Sequence, residues 1–367
     1  MSETRLGLLF GGRSGEHEVS VKSAKAVYEA ALANGYSITG VGITREGHWI
    51  YLGDCAAFFD SGSSEVTCSM GSNCHILPAP THRGLFVEGA EPGPLHIDVV
   101  FPVLHGSYGE DGTVQGLFEL AGIAYVGAPV LASAICMDKD TTKRILTTHG
   151  VPHVPALSVE RFGWQSRPQA VLEHLGRLIR LPVFVKPSAS GSSLGVTKVK
   201  SRDALPQALD LALLYDTKAL LEPSQEGLLE IECSVLGNEE PVASVPGQIL
   251  PRREFYDYQA KYIDDDTELR IPAPLEAPLA RKVQDIAVRA FLATGCRGMA
   301  RVDFFVNPEK DEVLVNELNT IPGFTPISMY PKLWEASGLS FPELVKKLVD
   351  LAIERQASSW REVRLRG

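Results

Sequence analysis

The chain has 367 residues, 44% of them hydrophobic and 22% charged, and a formal net charge of −10. That length suggests two or three domains with ordinary cores. An acidic chain without a basic cluster is a poor partner for nucleic acid, and no apolar run approaches the roughly 20 residues of a membrane-spanning helix, so neither partner is expected.

Taken in order, Leu6-Gly-Leu-Leu-Phe10 follows the acidic Glu3 and reads as a buried first strand, not as a signal peptide. The expected location is the cytosol. The first unit alternates strands (Arg5–Phe10, Ser37–Thr44, Ile97–Leu104, Ala124–Gly127) with helices (Val19–Ala33, Val114–Ala121), a pattern that predicts a parallel sheet. Residues 53–95 are rich in Gly, Ser, Pro and Cys and are expected to be an irregular surface excursion. A helix over Lys139–His149 then precedes strands at Val183–Lys186, Val196–Lys200 and Ala219–Leu221. Further strands are expected at Ile231–Leu236 and Ala243–Gln248, then a polar loop over Pro251–Arg270, a helix over Glu276–Thr294, a hairpin and a last helix. The six cysteines share no CxxC spacing, so reduced, mostly buried thiols are expected rather than a zinc site.

Two segments carry chemistry. Met299–Val306 and Glu312–Asn319 read as a hairpin closed by Asn307–Asp311. Side chains alternate across a strand, so Arg301, Asp303, Glu317 and Asn319 share one face. Direct closure would set Asp303 opposite Val315 and Arg301 opposite Glu317. Such a face is either a solvated polar surface with a cross-strand ion pair, or an oxygen-donor cluster suited to Mg²⁺ with an arginine beside it. The Pro/Gly-rich Thr320–Ser328 that follows favours the second reading. The other segment, Ser188-Ala-Ser-Gly-Ser-Ser-Leu-Gly195, lies between two strands just after Lys186. It is either a mobile connector or a loop that folds over a polyphosphate. The chain has neither a Walker A loop nor a GxGxxG turn, which disfavours a dinucleotide oxidoreductase.

These motifs, with Gly11-Gly-Arg-Ser-Gly-Glu-His-Glu-Val-Ser20, His105-Gly-Ser-Tyr-Gly-Glu-Asp-Gly-Thr113, Met137-Asp-Lys139, Glu230-Ile-Glu232, Phe255-Tyr-Asp-Tyr-Gln-Ala-Lys-Tyr262 and Asn316-Glu-Leu-Asn-Thr-Ile-Pro-Gly323, resemble the D-alanine–D-alanine ligases of the ATP-grasp superfamily. The resemblance covers nearly the full length. It implies an α/β, ATP-grasp architecture of three domains: 1–127 with the first substrate's amine site, 128–222 with the phosphate loop, and 223–367 with the metal site and a lid loop over 251–270. ATP would lie between the last two domains.

By the same resemblance Lys139 and Lys186 contact the ATP phosphates, and Gly191, Ser192 and Ser193 close over them. Glu222 stands near the adenine, Glu230 near the ribose, and Asn316 completes the nucleotide set. The Glu222 to Glu230 spacing is one residue longer than usual, and Pro223 follows Glu222. Asp303, Glu317 and Asn319 would hold two Mg²⁺ or Mn²⁺ ions. Glu16 would pair with the first substrate's ammonium and join Ser192 and Tyr262 in a hydrogen-bonded set; taken alone, Glu16 is equally a helix-N-terminal charge. His105 would lie near the first substrate, or be structural. Lys261, Ser328 and Met329 would meet substrate, Lys261 also the phosphates. Arg301 and the Gly323 N–H would stabilise the oxyanion. The implied reaction joins two D-alanines through an acyl phosphate for peptidoglycan synthesis, in a homodimer. Tyr262 marks D-alanine rather than D-lactate as the second substrate. The rival readings are a related ligase using D-lactate, D-serine or an L-amino acid, and a catalytically silent ATP-binding regulator.

Overall fold

Three sheets follow one another along the chain in a computed structural model that describes residues 4–90, 93–191, 194–250 and 268–358. The first contains β1 (Arg5–Gly11), β2 (Ser37–Ile43), β3 (Trp49–Tyr51), β4 (Ser72–Ile76), β5 (Gly84–Val87), β6 (Leu95–His96), β7 (Val99–Val103) and β8 (Ala124–Tyr125), in the order β6-β5-β4-β3-β2-β1-β7-β8. β2, β1, β7 and β8 are parallel, as the β/α alternation predicts. Parallel strands are covered on both faces, and β1 is buried along all but its first residue. Helix α1 (His17–Ala33) and the last helix, Phe341–Ser358, cover one face through Val27, Leu344 and Leu348 against Leu6, Leu8 and Phe10. On the other face, Phe118 of α3 (Thr113–Ala121) packs with Leu9, Val41 and Val100.

Residues 53–95 depart from expectation. They hold a short helix, α2 (Ala56–Asp60), and β4 to β6, which extend the sheet at its β3 edge. Their polar composition hides an alternation in which Cys74, Ile76 and Leu85 point into the core. All six cysteines are free thiols, and only Cys68 is exposed.

The second sheet has the order β11-β10-β12-β9, from β9 (Leu157–Glu160), β10 (Val183–Pro187), β11 (Thr197–Val199) and β12 (Lys218–Pro223), all antiparallel. Helices α4 (Val130–Met137) and α5 (Lys139–Thr148) precede it in sequence but pack elsewhere. Ala132, Cys136 and Leu146 share a core with Val302 and Val315 of the third sheet. Helices α6 (Arg161–Ser166), α7 (Pro168–Leu178) and α8 (Leu205–Tyr215) complete the second unit, with Trp164, Leu175 and Leu209 in its core.

The third sheet runs β16-β15-β13-β17-β18, with β14 also on β13. Its strands are β13 (Leu229–Gly237), β14 (Val242–Ala243), β15 (Gly247–Leu250), β16 (Glu268–Arg270), β17 (Gly298–Asn307) and β18 (Glu312–Asn319). The single strand expected over Ala243–Gln248 is split at Pro246, which has no N–H to give a ladder. The polar loop expected over 251–270 ends earlier, because Glu268–Arg270 pair with β15. The hairpin turn Pro308–Lys310 is capped by Asn307, whose Oδ1 accepts from the N–H groups of Glu309 (3.1 Å) and Lys310 (3.3 Å).

Candidate active site

Two groups of side chains face one cavity of about 510 Å³ between the second and third sheets. On the second-sheet side, β12 pairs antiparallel with β10, setting Glu222 across from Phe184 and diagonal to Lys186. The Lys186 ammonium lies 2.7 Å from Glu222. Lys143, one turn beyond Lys139 on α5, reaches the same carboxylate at 2.9 Å and donates to the Val154 and Asn316 carbonyls. Burial alone would lift the Glu222 carboxyl, but the two lysines outweigh it and hold it below the usual carboxylate range. Burial pulls Lys143 below its ordinary value despite Glu222. Lys186 is held above its own against burial, by Glu222 and Glu317. With one carboxylate and two ammoniums, this side carries about +1 at neutral pH.

The opposite side is built by register. Glu232 of β13 pairs with Asp303 of β17, and Asp303 with Glu317 of β18, so three carboxylates stand abreast. Arg301 Nε lies 2.7 Å from Asp303 and 2.9 Å from Glu232, while Arg301 Nη2 donates to the second Asp303 oxygen at 2.8 Å. Asn319 Nδ2 donates to Asp303 at 2.9 Å, and Lys139 Nζ lies 3.4 Å from Glu317. These three carboxylates outnumber the one guanidinium and one ammonium, and Glu230, two residues before Glu232 on β13, adds a fourth carboxylate to the lining.

The register differs from direct closure of the hairpin. Phe304 pairs with Val315, but Asp303 pairs with Glu317 and Arg301 with Asn319. Asn316 is an extra residue on β18, a bulge that shifts the alternation by one. Asn316 and Glu317 therefore both line the cavity, while Val315 and Leu318 on either side are buried. The shared face of Arg301, Asp303, Glu317 and Asn319 survives because the hairpin closes one residue further along, with Asn307 opposite Glu312, and the bulge adds a second residue, so the total shift is even.

A third group comes from the first unit. Glu16 ends the Gly-rich turn just before α1 and is buried. Two residues of α1 hold that turn: Ser20 accepts from the Gly11 N–H at 2.8 Å, and His17 Nδ1 donates to the Gly12 carbonyl at 2.8 Å. Gly106 has φ +76°, and a side chain there would come within 3.1 Å of Glu16 Oε2, so the carboxylate rests against bare backbone. Gly191 faces Glu16 and Glu110 from the second unit; a Cβ on it would lie 3.7 Å from the Glu110 carboxyl. Burial, and then Glu16, push the Glu110 carboxyl up to about 8, although it accepts from the Gly106 N–H at 2.6 Å.

His105 has both ring nitrogens engaged. Nδ1 donates to the Ile321 carbonyl at 3.0 Å, and Nε2 lies 3.3 Å from Ser23 Oγ, which accepts from the Phe324 N–H. Burial lowers its pKa and keeps it neutral. It thereby ties the first unit to the buried loop that carries Gly323. Ser328 begins the helix Met329–Ala336, and its Oγ accepts from the Thr325 N–H at 3.1 Å. The Met329 side chain is packed with Ile249 and Leu333 in an apolar cluster. Glu230 lines the cavity. Ser192, Ser193, Lys261 and Tyr262 lie outside the described residues.

Three residues that complete these groups escaped the sequence reading. Lys143 follows Lys139 by one turn, Glu232 follows Glu230 by one pleat, and Glu110 sits inside the His105–Thr113 segment. Each spacing was visible; which face meets the cavity was not.

The donor set fits a hard divalent cation jointly bound with phosphate. It offers oxygen only, from Asp303, Glu317 and Asn319, on the side with surplus negative charge. Among the described residues no three His, Cys, Asp or Glu side chains form a metal cage by themselves. That is how Mg²⁺ is commonly held, by one or two carboxylates and the substrate's phosphates.

Comparison with known proteins identifies the family. The family model described as D-ala D-ala ligase N-terminus matches residues 5–128, and that of the D-ala D-ala ligase C-terminus matches residues 145–350. A D-alanine–D-alanine ligase of Natranaerobius thermophilus is 45% identical over 97% of this chain and 96% of its own length. One from Thermoanaerobacter is 47% identical over 99% and 100%. Among solved structures, the D-alanine–D-alanine ligase of Coxiella burnetii superposes with a TM-score of 0.83 at 36% identity, covering 98% of this chain and 96% of that one. The VanG D-Ala:D-Ser ligase of Enterococcus faecalis superposes with a TM-score of 0.84 at 35% identity, covering 96% and 100%. Family models spanning most of the chain, and relatives near half identical over nearly all of it, make this protein a member of the D-alanine–D-alanine ligase family, with its ATP-grasp fold.

Proposed function

We propose that this chain joins two D-alanines into D-alanyl-D-alanine at the expense of ATP, through an acyl phosphate, to supply peptidoglycan synthesis. The observation that carries the reading is the pair of opposed faces across one cavity. The side with ammoniums in excess, Lys186 at the cavity and Lys143 behind it on Glu222, suits a polyphosphate; the side with carboxylates in excess, bearing Asp303 and Glu317 with Asn319 beside them, suits its divalent cations. The curated relatives at 44–47% identity bear the name of this activity, and they favour D-alanine over the D-serine in the name of the enterococcal ligase.

Each chain residue then has a task. Lys186 and Lys139 hold phosphate oxygens, Gly191 with Ser192 and Ser193 covers them, and Glu222, Glu230, Asn316 and Lys261 complete the nucleotide contacts. Asp303, Glu317 and Asn319 would hold two Mg²⁺ ions, or Mn²⁺ in their place. Bound there, the ions would offset the charge of the transferring phosphoryl group. Glu16 meets the ammonium of the first D-alanine, and His105 keeps the Gly323 loop against that subsite. The first carboxylate attacks the γ-phosphate and ADP leaves, giving the acyl phosphate; the free amine of the second D-alanine then attacks the acyl carbon, and phosphate and a proton leave as the amide forms. Arg301, held by two carboxylates, and the Gly323 N–H meet the oxyanion, a contribution of about 3–4 kcal/mol per donor. Lys261, Ser328 and Met329 belong to the second-substrate side, and Tyr262 joins Glu16 and Ser192. The three sheets fall along spans 1–127, 128–222 and 223–367, which this reading takes as the domains of a cytoplasmic homodimer. Among the described residues no helix is long and apolar enough to cross a membrane.

The test is phosphate release from ATP and Mg²⁺ with D-alanine, L-alanine, or D-alanine plus D-lactate or D-serine, with products identified by mass. D-alanine alone should suffice and yield D-alanyl-D-alanine. No D-alanine-dependent release would overturn the assignment, and D-alanyl-D-lactate as the main product at neutral pH would overturn the second substrate.

A further inference from the structure

Asp138 belongs to the Met137-Asp-Lys139 motif, yet only Lys139 has a task in the reaction. Asp138 caps α5: its Oδ1 accepts from the Thr141 N–H at 3.0 Å and from Ser188 Oγ at 2.8 Å. Its Oδ2 accepts from the Lys218 ammonium at 2.8 Å, and Lys218 also reaches Asp140 at 3.1 Å. Ser188, fully buried, uses every polar group it has. Its N–H donates to the Lys218 carbonyl (3.0 Å), its carbonyl accepts from the Lys139 N–H (3.0 Å), and its Oγ accepts from the Asp140 N–H at 3.3 Å. The next two residues are held as well. The Ala189 N–H donates to Asp216 Oδ2 at 2.6 Å, and the Ser190 carbonyl accepts from Lys139 Nζ at 2.8 Å.

We infer that Lys218, acting with Asp138 and Asp216, is a positioning residue for ATP. It clamps Ser188–Ser190, the start of the phosphate segment, to the N-terminus of α5 and to the head of β12. The physical need is plain. Lys186 is two residues before Ser188, and Lys139 is one residue after Asp138, so this clamp sets the spacing of the two lysines that meet the phosphates. Asp138 and Asp140 suit a helix N-terminus individually, but side by side they repel unless one cation lies between them. Arg144, one turn along α5, also reaches Asp140 at 2.9 Å, but Lys218 touches both carboxylates and comes from a different element, which turns two local caps into a join between α5, β12 and the segment after β10. Small displacements of positioned groups cost up to about a hundredfold in rate, so the join acts on ATP use and not on stability alone.

The inference rests on the ligase reading, and the wild-type protein in the same assay separates the two. Lys218→Met keeps the stem and removes the charge; Lys218→Arg keeps the charge. Lys218→Met should raise KM for ATP about tenfold and leave KM for D-alanine within about twofold, with Lys218→Arg recovering most of the loss. Asp216→Ala, which leaves the Lys218 ammonium in place and frees the Ala189, Thr217 and Lys218 N–H groups and the Thr217 hydroxyl, should move KM for ATP in the same direction and serves if Lys218→Met does not fold. A lowered thermal midpoint with KM for ATP unchanged in both variants would overturn the inference, as would equal rises in both KM values. Absence of D-alanine-dependent turnover in the wild type would instead overturn the ligase reading.

Discussion

Glu222 holds two buried ammoniums, and replacing it with glutamine tests whether the positive face of the cavity depends on that one carboxylate. Lys143 lies 2.9 Å and Lys186 2.7 Å from it, with side-chain exposures of 6%, 13% and 6% for Lys143, Lys186 and Glu222. At an effective dielectric constant near 20, each contact is worth about 6 kcal/mol before desolvation is subtracted. Breaking a buried ion pair from one side typically costs about 3–5 kcal/mol, because the surviving charge stays buried and unpaired. Here two charges survive, so Glu222→Gln should fall at the upper end of that range. At roughly 1.3 °C per kcal/mol for a chain this long, the thermal midpoint should drop by about 5–7 °C at pH 7. The sign with pH is fixed. The folded-state pKa of Glu222 is depressed, so its contribution is present above about pH 4.5 and is lost as pH falls through the folded value. The gap between wild type and variant should therefore begin to narrow below about pH 4.5 and close as pH falls through the folded value. MgATP should stabilise the variant more than the wild type, since its phosphates replace the missing negative charge. Differential scanning fluorimetry at pH 7 and in steps downward from pH 4.5, with and without MgATP, reads all three effects. A midpoint unchanged at pH 7, or a gap that widens at low pH, would refute the argument.

Two further perturbations address the other faces of the cavity. Glu110 has a folded-state pKa of about 8, so folding favours its neutral form and its ionisation destabilises the protein as pH rises from about 4.5 through 8. Glu110→Gln, which keeps the acceptor for the Gly106 N–H, should raise the thermal midpoint at pH 9 and leave it nearly unchanged at pH 4; the reverse order would show the carboxyl to be solvated. Asp303→Ala combined with Glu317→Ala should lower D-alanine-dependent phosphate release by at least about a hundredfold and remove its response to added Mg²⁺. Survival of either would place the metal elsewhere.

The order of elements was legible in the sequence because periodicity is local. The β/α alternation of the first unit, α5 over Lys139–Thr148, the helix Ala277–Ala293 and the hairpin strands all follow from patterns within a dozen residues. Residues 53–95 misled because Gly, Ser and Pro outweigh the few inward apolar positions of short edge strands. The polar residues of the hairpin face were legible too, since a strand's period of two groups Arg301 with Asp303 and Glu317 with Asn319 whatever the register.

Tertiary structure decided which of these groups meet. Neither the closing pair Asn307–Glu312 nor the bulge at Asn316 can be seen in the composition, and together, one residue each, they replaced the Asp303–Val315 pairing with Asp303–Glu317. Glu232 became part of the site only because β13 lies beside β17, and Lys143 only because α5 packs on the third sheet while facing β12 of the second. A charge buried between two sheets takes its meaning from partners far along the chain. Sequence alone could therefore name the donors and the lysines, but not that Glu222 clamps two lysines and Arg301 bridges two carboxylates across the same cavity.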